Sequence, residues 1–442
     1  MATQYAIHGS TAREISASAE NAVAEGRLQA GETLPPVRVL AEALGVSPGT
    51  VATAYKELRR RGVVVTRGRG GTVVAPAAVA TSRRPPRVPE GLRNLAGGHP
   101  DPAFLPDLVP PDRLTPYALS HRRSPRMPEL EELAREWFRR DGVPDAQVTF
   151  AHGALDAVAR LLSVELRPGD AVAVEDPGFH HLLDLVQALG LRTLAVPVDD
   201  EGMRPEGLRA ALTAGARAVV LFPRSQIPYG ARVSAERREE LLAVLAGAPE
   251  VLVVEDDGGA AVDGGPLCSL TTAGERGPAR WAQVRTVSKS LGPDLRWTAM
   301  ACDATTLARH DARLLVTSGW ISHVLQETVV RLLADPATGV LLAAATAAYD
   351  ERREALIGAL AGHGIEAHGR SGLNIWVPVR DESAVVNGLR SRGWWVAAGA
   401  RFRIASAPGV RITTAELDAA EAPRLASDFA ASLTDAPETY GY

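Results

Sequence analysis

Lysine is almost missing from this chain: of 48 basic residues, Lys56 and Lys289 are the only lysines and the other 46 are arginine. Cysteine is equally scarce. Cys268 and Cys302 stand alone, which excludes a disulfide framework and leaves no cysteine-based metal spacing, so no metal is expected. Long apolar runs are lacking too, the longest being GVLLAAATAAY at 339–349. That run is far short of the roughly 20 residues a spanning helix needs. The opening MATQYAIHGSTAREISASAEN has no apolar core of a secretory signal. Together these absences predict a cytoplasmic protein with no membrane partner.

What is present describes a globular chain. Its 442 residues are 46% hydrophobic and 23% charged, long enough for two or three domains. Charge is divided unevenly. Residues 1–95 hold 13 Lys/Arg against 7 Asp/Glu, while residues 96–442 hold 35 against 45. A basic head on an acidic body suits a chain that meets a polyanion at one end.

The head carries a recognisable pattern. A helical stretch at about 13–27 is followed by Val37, Leu40, Ala41 and Leu44 at helical spacing. Gly45 ends that helix and Ser47 is placed to cap the next, whose apolar face is Val51, Ala54, Tyr55 and Leu58. VVVTRGRGGTVVA then reads as two short strands around a glycine-rich turn, the wing of a winged helix. The second helix of such a unit enters the major groove. Thr50, Thr53 and Lys56 fall on its outer side, with Arg38 before it and Arg67 and Arg69 on the wing. These are candidate contacts to operator DNA. Residues 14–75 resemble the winged helix-turn-helix of GntR-family bacterial repressors, and the resemblance adds Ser47 and the Gly70-Gly71 wing to the DNA-contacting set. Pro48-Gly49 replaces the polar or basic residues usual there.

We place this head at residues 1–76 and a Pro/Arg-rich linker at 77–94. Beyond it, residues 95–435 alternate short apolar strands with helices. The strand candidates are 171–176, 217–223, 251–257, 284–288 and 298–303. Such alternation predicts a mainly parallel α/β sheet, whose ligands bind at the carboxyl ends of strands. Asp176, Asp256, Asp257 and Lys289 all fall there. A smaller α+β unit is expected from about residue 350, with strands near 373–379 and 410–415.

Arginine cannot form an imine, because it is effectively never deprotonated and offers no primary amine. A lysine kept at a strand end among 46 arginines is therefore a candidate imine-forming residue. Its surroundings, TVSKSLGPDLR and then TAM, resemble the lysine motif of fold-type I aminotransferases that bind pyridoxal 5'-phosphate. That resemblance implies a role for each residue that follows in the family order. Gly153, Ala154 and Leu155 would open a phosphate-binding helix and Phe179 would stack on the cofactor ring. Gln226 would touch the ring hydroxyl and Asp256 would pair with the pyridine nitrogen. Thr286 and Arg296 would hold the phosphate, Lys289 would carry the cofactor, and Arg411 would bind an effector's carboxylate.

A GntR-type winged helix joined to an aminotransferase-like domain resembles the MocR (GabR-like) regulators. The implied protein is a homodimeric, DNA-binding transcription regulator that senses a small amino compound, or pyridoxal phosphate itself. Two alternatives stay open. One is an active aminotransferase with a DNA-binding head; the other is a repressor whose large domain only dimerises. Three departures from the family pattern bear on the choice. Gly258-Gly259 stand where EDDY has its aromatic, Leu155 where the phosphate loop has Gln, and His121 nearest the usual Tyr that reaches the partner's phosphate. They favour reporting an amine over turning one over, with residual or half-transamination as the enzymatic remainder.

Overall fold

The computed structural model describes residues 7–24, 27–29, 31–60, 63–66, 71–74, 88–108, 124–143 and 147–434. The expected positions Arg67, Arg69, Gly70 and His121 lie outside the described residues.

In the head, helices α1 (Ala12–Ala24), α2 (Val37–Leu44) and α3 (Pro48–Arg60) precede strands β1 (Val64–Thr66) and β2 (Thr72–Val74). The strands pair antiparallel, Val64 opposite Val74 and Thr66 opposite Thr72. Leu40, Ala41, Val51, Ala54, Tyr55 and Leu58 are buried in one cluster with Ile15, Val64 and Val74. Val37 and Leu44 pack against that cluster half-buried. Gly45 ends α2 at φ 68°, a left-handed turn that glycine enters without a Cβ clash. The Thr50 amide donates to Ser47 Oγ at 3.1 Å, so Ser47 caps α3 as its composition predicts. Pro48 takes the first helical position, where its missing N–H costs nothing.

The body is a doubly covered α/β sheet. In chain order it contains β3 (Arg93–Asn94), α4 (Pro128–Arg140), β4 (Gln147–Ala151), α5 (Ala154–Glu165), β5 (Ala171–Asp176) and α6 (His180–Ala188). Next come β6 (Arg192–Asp199), β7 (Gly202–Met203), α7 (Pro205–Thr213), β8 (Ala216–Leu221), α8 (Ala235–Leu245) and β9 (Leu252–Asp256). β10 (Arg280–Thr286), β11 (Thr298–Cys302), α9 (Ala304–Leu315), α10 (His323–Ala334) and α11 (Pro336–Gly362) complete it. The strand order is β4-β11-β10-β9-β8-β5-β6-β7. Strands β5, β8, β9 and β10 run parallel, while β11 is antiparallel to both β10 and β4. Every residue of β5 and β9 is buried, which is why these segments read as continuous runs instead of alternating ones. Parallel pairing brings the carboxyl ends of β5, β8, β9 and β10 to one edge, and with them Asp176, Asp256 and Thr286.

The smaller unit contains β12 (Asn374–Pro378), α12 (Glu382–Ser391), β13 (Trp394–Trp395), β14 (Ala397–Ala398), β15 (Gly409–Thr413) and α13 (Ala422–Thr434). Its sheet runs β12-β15-β14 over a core that includes Leu356, Leu360, Ile375, Val410, Ile412 and Phe429. Two features differ from the expected boundary near 350. Helix α11 runs unbroken through it, since nothing in its alanine-rich middle stops a helix. Strand β3, although early in the chain, pairs with β13 and puts Leu95 into this late core.

Candidate functional site

Three residues past β10, Lys289 is half-buried at the carboxyl edge of the sheet. Its Nζ donates to the Gly98 carbonyl at 2.5 Å. Loss of hydration, aided by the Arg411 charge, pushes the ammonium down to about 8, against a smaller opposing pull from Asp256. A depressed amine is what imine chemistry near neutrality requires. Gly98 lies on Ala96–His99, a segment tied to Lys289, Thr413 and Arg411. The Gly98 amide donates to Thr413 Oγ1 at 3.0 Å, and Arg411 Nη2 donates to the Ala96 carbonyl. At φ 68°, a Cβ on Gly98 would come within 2.9 Å of Arg411 Nη1. Glycine is the residue that permits this approach.

Asp256 and Asp257 are adjacent in sequence and differ in every other respect. Asp256 Oδ1 is buried and accepts no hydrogen bond from any described residue. Burial, then the neighbouring Asp257 charge, pushes its carboxyl up to about 7, while Lys289 pulls the other way. Asp257 is satisfied. Arg224 donates from Nε to its Oδ1 at 2.7 Å and from Nη2 to its Oδ2 at 3.0 Å, and Arg285 Nε donates to Oδ2 at 2.9 Å. A buried acceptor without a partner costs roughly 1–3 kcal/mol, so the orphan oxygen beside Lys289 marks where a donor belongs.

Across the edge, Thr286 Oγ1 lies 2.9 Å from Ser288 Oγ and accepts from the Ser288 amide at 3.2 Å. Arg296 is held at φ 47°, a left-handed conformation that costs a non-glycine residue of order 1 kcal/mol. It donates from Nη2 to the His152 carbonyl at 3.2 Å. Gly153 is held at φ 103°, where any side chain is strained, and a Cβ there would also displace that guanidinium. Helix α5 begins at Ala154, which brings Ala154, Leu155 and the unpaired amides of the first turn to the same corner. Thr286, Ser288, Arg296 and this helix terminus gather hydroxyl, guanidinium and amide donors of the kind that suit an anion.

The remaining wall is aromatic and cationic. Phe179 is half-buried and packs edge-on against His181 and Phe222 at 5.4 and 6.1 Å. Arg411 is 4% exposed, lies 4.9 Å over the Phe402 ring, and has no carboxylate partner among the described residues. His180 meets the same ring edge-on at 5.0 Å, and burial followed by the His181, Arg401 and Arg411 charges pushes it down to about 3. Gln226 is placed differently from a free ring contact. Its Nε2 donates to Glu175 Oε2 at 3.1 Å and to the Pro177 carbonyl at 2.9 Å, and its Oε1 accepts from the Tyr229 amide. Both amide hydrogens are thus committed within the protein. A Cβ on Gly258 would make ordinary contacts, 3.5 Å from Asp256 Oδ1 and 3.8 Å from Thr286 Cγ2, whereas a Cβ on Gly259 would overlap Ser225. Asp176 accepts from the Ile404, Ala405 and Ser406 amides at 2.7–2.9 Å and so anchors the small unit's loop.

The donor set fits a phosphorylated pyridine aldehyde: a primary amine near neutrality, an anion corner, and an orphan carboxylate oxygen suited to a pyridinium N–H. Such a group, when bound, supplies an electron sink for amine chemistry. Ser288, Gly98, His180, His181 and the arginine pair on Asp257 were not singled out from sequence. Of these, the His180-His181 and Gly97-Gly98 doublets were the available signals.

On the head, Arg38, Ser47, Thr53 and Lys56 are exposed and Thr50 half-buried. Ser47 and Thr50 hydroxyls share a 2.8 Å hydrogen bond, and Thr53 donates to the Gly49 carbonyl at 2.9 Å. Arg38 and Lys56 reach outward from α2 and α3, and Gly71 enters β2 at φ 77°.

Comparison with known proteins matches both halves. Residues 11–74 match bacterial regulatory proteins of the gntR family, and residues 123–429 match aminotransferase class I and II. The chain is 40% identical over 437 residues to the vitamin B6 salvage pathway transcriptional repressor PtsJ of Salmonella typhimurium, covering 97% of this chain and 99% of that one. It is 33% identical to the pyridoxine biosynthesis transcriptional regulator PdxR of Corynebacterium glutamicum over 53% of each chain. Among solved structures, the kynurenine aminotransferase of Pyrococcus horikoshii superposes with a TM-score of 0.70 at 22% identity, covering 79% of this chain and 92% of that one; this likeness concerns the fold.

Proposed function

The chain belongs to the GntR family of bacterial regulatory proteins, in the MocR-type branch that joins the DNA-binding head to an aminotransferase class I and II domain, and from that premise we propose that it regulates transcription in response to pyridoxal 5'-phosphate captured at Lys289. The relative named for vitamin B6 salvage supports this ligand and a repressing role. So does the site, where amine, anion corner and orphan carboxylate oxygen stand together.

The observation that carries the reading is the double hold on Ala96–His99. Lys289 donates to Gly98 and Arg411 donates to Ala96, and this segment follows directly on the linker from the head. Covalent capture at Lys289 removes the ammonium that holds Gly98. Occupancy therefore alters the segment just past the linker, and in a dimer of full chains this changes how two heads meet an operator. The change counts as allosteric coupling only if ligand affinity differs between DNA-bound and free protein.

Titrating full-length protein with pyridoxal phosphate tests this, reading visible absorption and operator binding by fluorescence anisotropy together. We expect a chromophore that borohydride fixes to Lys289, forming faster as pH rises towards about 8, where the amine loses its proton. Operator affinity should shift along the same titration. A chromophore that forms with no change in operator affinity would sink the sensor reading.

A second reading, an amino acid as co-effector, has its own observation: Arg411 is buried without a carboxylate partner among the described residues. Full aminotransferase turnover is disfavoured, since the Gln226 amide hydrogens are committed elsewhere and Gly258 offers no side chain to a ring hydroxyl.

A further inference from the structure

We propose that Arg224 and Arg285 are positioning residues, a two-arginine clamp that holds Asp257 as a buried, compensated anion and thereby leaves the adjacent Asp256 free to pair with a ligand's pyridinium. The proposal rests on the cofactor reading above for its ligand, and on the protein alone for its geometry.

The clamp is a closed set of four charges. Arg224 forks across both oxygens of Asp257 at 2.7 and 3.0 Å. Arg285 reaches Asp257 Oδ2 at 2.9 Å. Both arginines also meet Asp141 Oδ2, at 3.1 and 2.6 Å. Arg285 further donates to the Trp137 carbonyl at 2.8 Å and lies 4.6 Å over the Phe138 ring, so the end of α4 is built around it. Arg285 and Asp257 are both fully buried. A forked, planar cation is needed to cover two oxygens of one carboxylate, which lysine cannot do.

The consequence falls on Asp256. Asp257, one residue past the end of β9, bonds both clamp arginines, while Asp256 interacts with Lys289. Asp256 is faced by the Asp257 and Lys289 charges, and by Glu175 from β5. Two of these three are acidic. Were Asp257 uncompensated, its charge would hold Asp256 protonated at neutral pH, and a protonated carboxyl is a poor partner for a pyridinium. The clamp thus decides which of two adjacent aspartates can serve the ligand, and in what charge state.

The test is the titration of Asp256 in full-length protein without cofactor, read as the infrared band of its protonated carboxyl. Subtracting the Asp256→Asn spectrum separates it from Glu175 and Glu255. We expect a midpoint near the value of about 7 for the native chain. It should rise by about one pH unit in Arg224→Gln and fall by a similar amount in Asp257→Asn, while Arg224→Lys, which keeps the charge without the fork, gives a smaller rise than Arg224→Gln. With pyridoxal phosphate added at pH 7, Arg224→Gln should bind about fivefold more weakly and recover at higher pH. Should Arg224→Gln fail to fold, Asp141→Asn at the partly exposed end of the clamp replaces it, and lowers the midpoint. An unchanged midpoint across folded variants whose melting temperatures fall would reduce the clamp to a structural brace and overturn the proposal. If the native chain binds no pyridoxal phosphate, the cofactor reading fails, and the Asp256 midpoints still decide the clamp.

Discussion

The two halves of the chain handle charge in opposite ways. Among the described buried residues of the head, the polar ones are Ser16 and Ser18, both neutral. The body buries Glu175, Asp176, Arg224, Glu255, Asp256, Asp257, Arg285 and Arg411. A surface reader needs its charges wet, where they find phosphates and exchange counterions, so its binding answers to salt. A pocket that recognises a charged small molecule needs its charges dry, where each costs desolvation and shifts its pKa, so its binding answers to pH. Substitutions in the two halves should therefore produce different kinds of failure.

The largest effect is expected at Lys289. Lys289→Ala should abolish covalent, borohydride-fixable capture of pyridoxal phosphate and, because it too removes the ammonium that holds Gly98, should shift the operator affinity of the cofactor-free chain in the direction that capture does. Absorption and anisotropy on one sample check both halves together. Operator affinity equal to that of the cofactor-free native chain would mean that the Lys289–Gly98 bond does not carry the coupling. Next comes the clamp. Arg285→Gln leaves Asp257 partly uncompensated in a fully buried setting, a type of change that costs about 3–5 kcal/mol. Denaturant unfolding measures it, and a cost under about 1 kcal/mol would mean that water replaces the guanidinium there.

Lys289 could be singled out because scarcity drew notice to it and the surrounding TVSKSLGPDLR carried the resemblance, and the parallel strands because runs such as AVAVED are buried on both faces. The head was legible because caps and apolar spacing are local: Ser47, Gly45 and Leu40 each do what their immediate neighbours dictate. The rest depends on groups that carry no signal in a one-letter string. Gly98 contributes a backbone carbonyl. Asp256 and Asp257 are indistinguishable until β10 supplies an arginine to one of them. Arg224 and Arg285 vanish among 46 arginines, and Gln226 looked available until Glu175 and Pro177 were found to hold it. Helix α11 ran through the expected domain boundary because the small unit's core recruits Leu356 and Leu360 from its far end.

Two smaller predictions sharpen the comparison on the head's side. Arg38 is exposed on α2. Arg38→Ala should weaken operator binding by on the order of 1–3 kcal/mol, with little change in stability or in cofactor capture. If Arg38 contacts a phosphate, the loss should be uniform across DNA sequences and the salt slope should fall by about one; a base contact would instead relax specificity at one position. No change in a mobility shift would mean that the reading surface lies elsewhere.

The smallest effect is expected at Ser47, and it separates two roles that the structure superimposes. Ser47 Oγ accepts from the Thr50 amide at 3.1 Å and shares a 2.8 Å bond with the Thr50 hydroxyl, so a direct DNA contact would compete with its capping duty. Ser47→Ala should cost about 1 kcal/mol of head stability, and Ser47→Gly only a few tenths, because glycine is itself tolerated at a helix N-cap. Both variants lack the hydroxyl. If Ser47 touches DNA, operator affinity falls equally in the two, whatever their stabilities. If it serves only as a cap, Ser47→Gly binds like the native chain and Ser47→Ala loses affinity only as far as its head unfolds. Melting curves and anisotropy on the two variants side by side distinguish these outcomes, because alanine and glycine part company on stability while sharing the same missing oxygen.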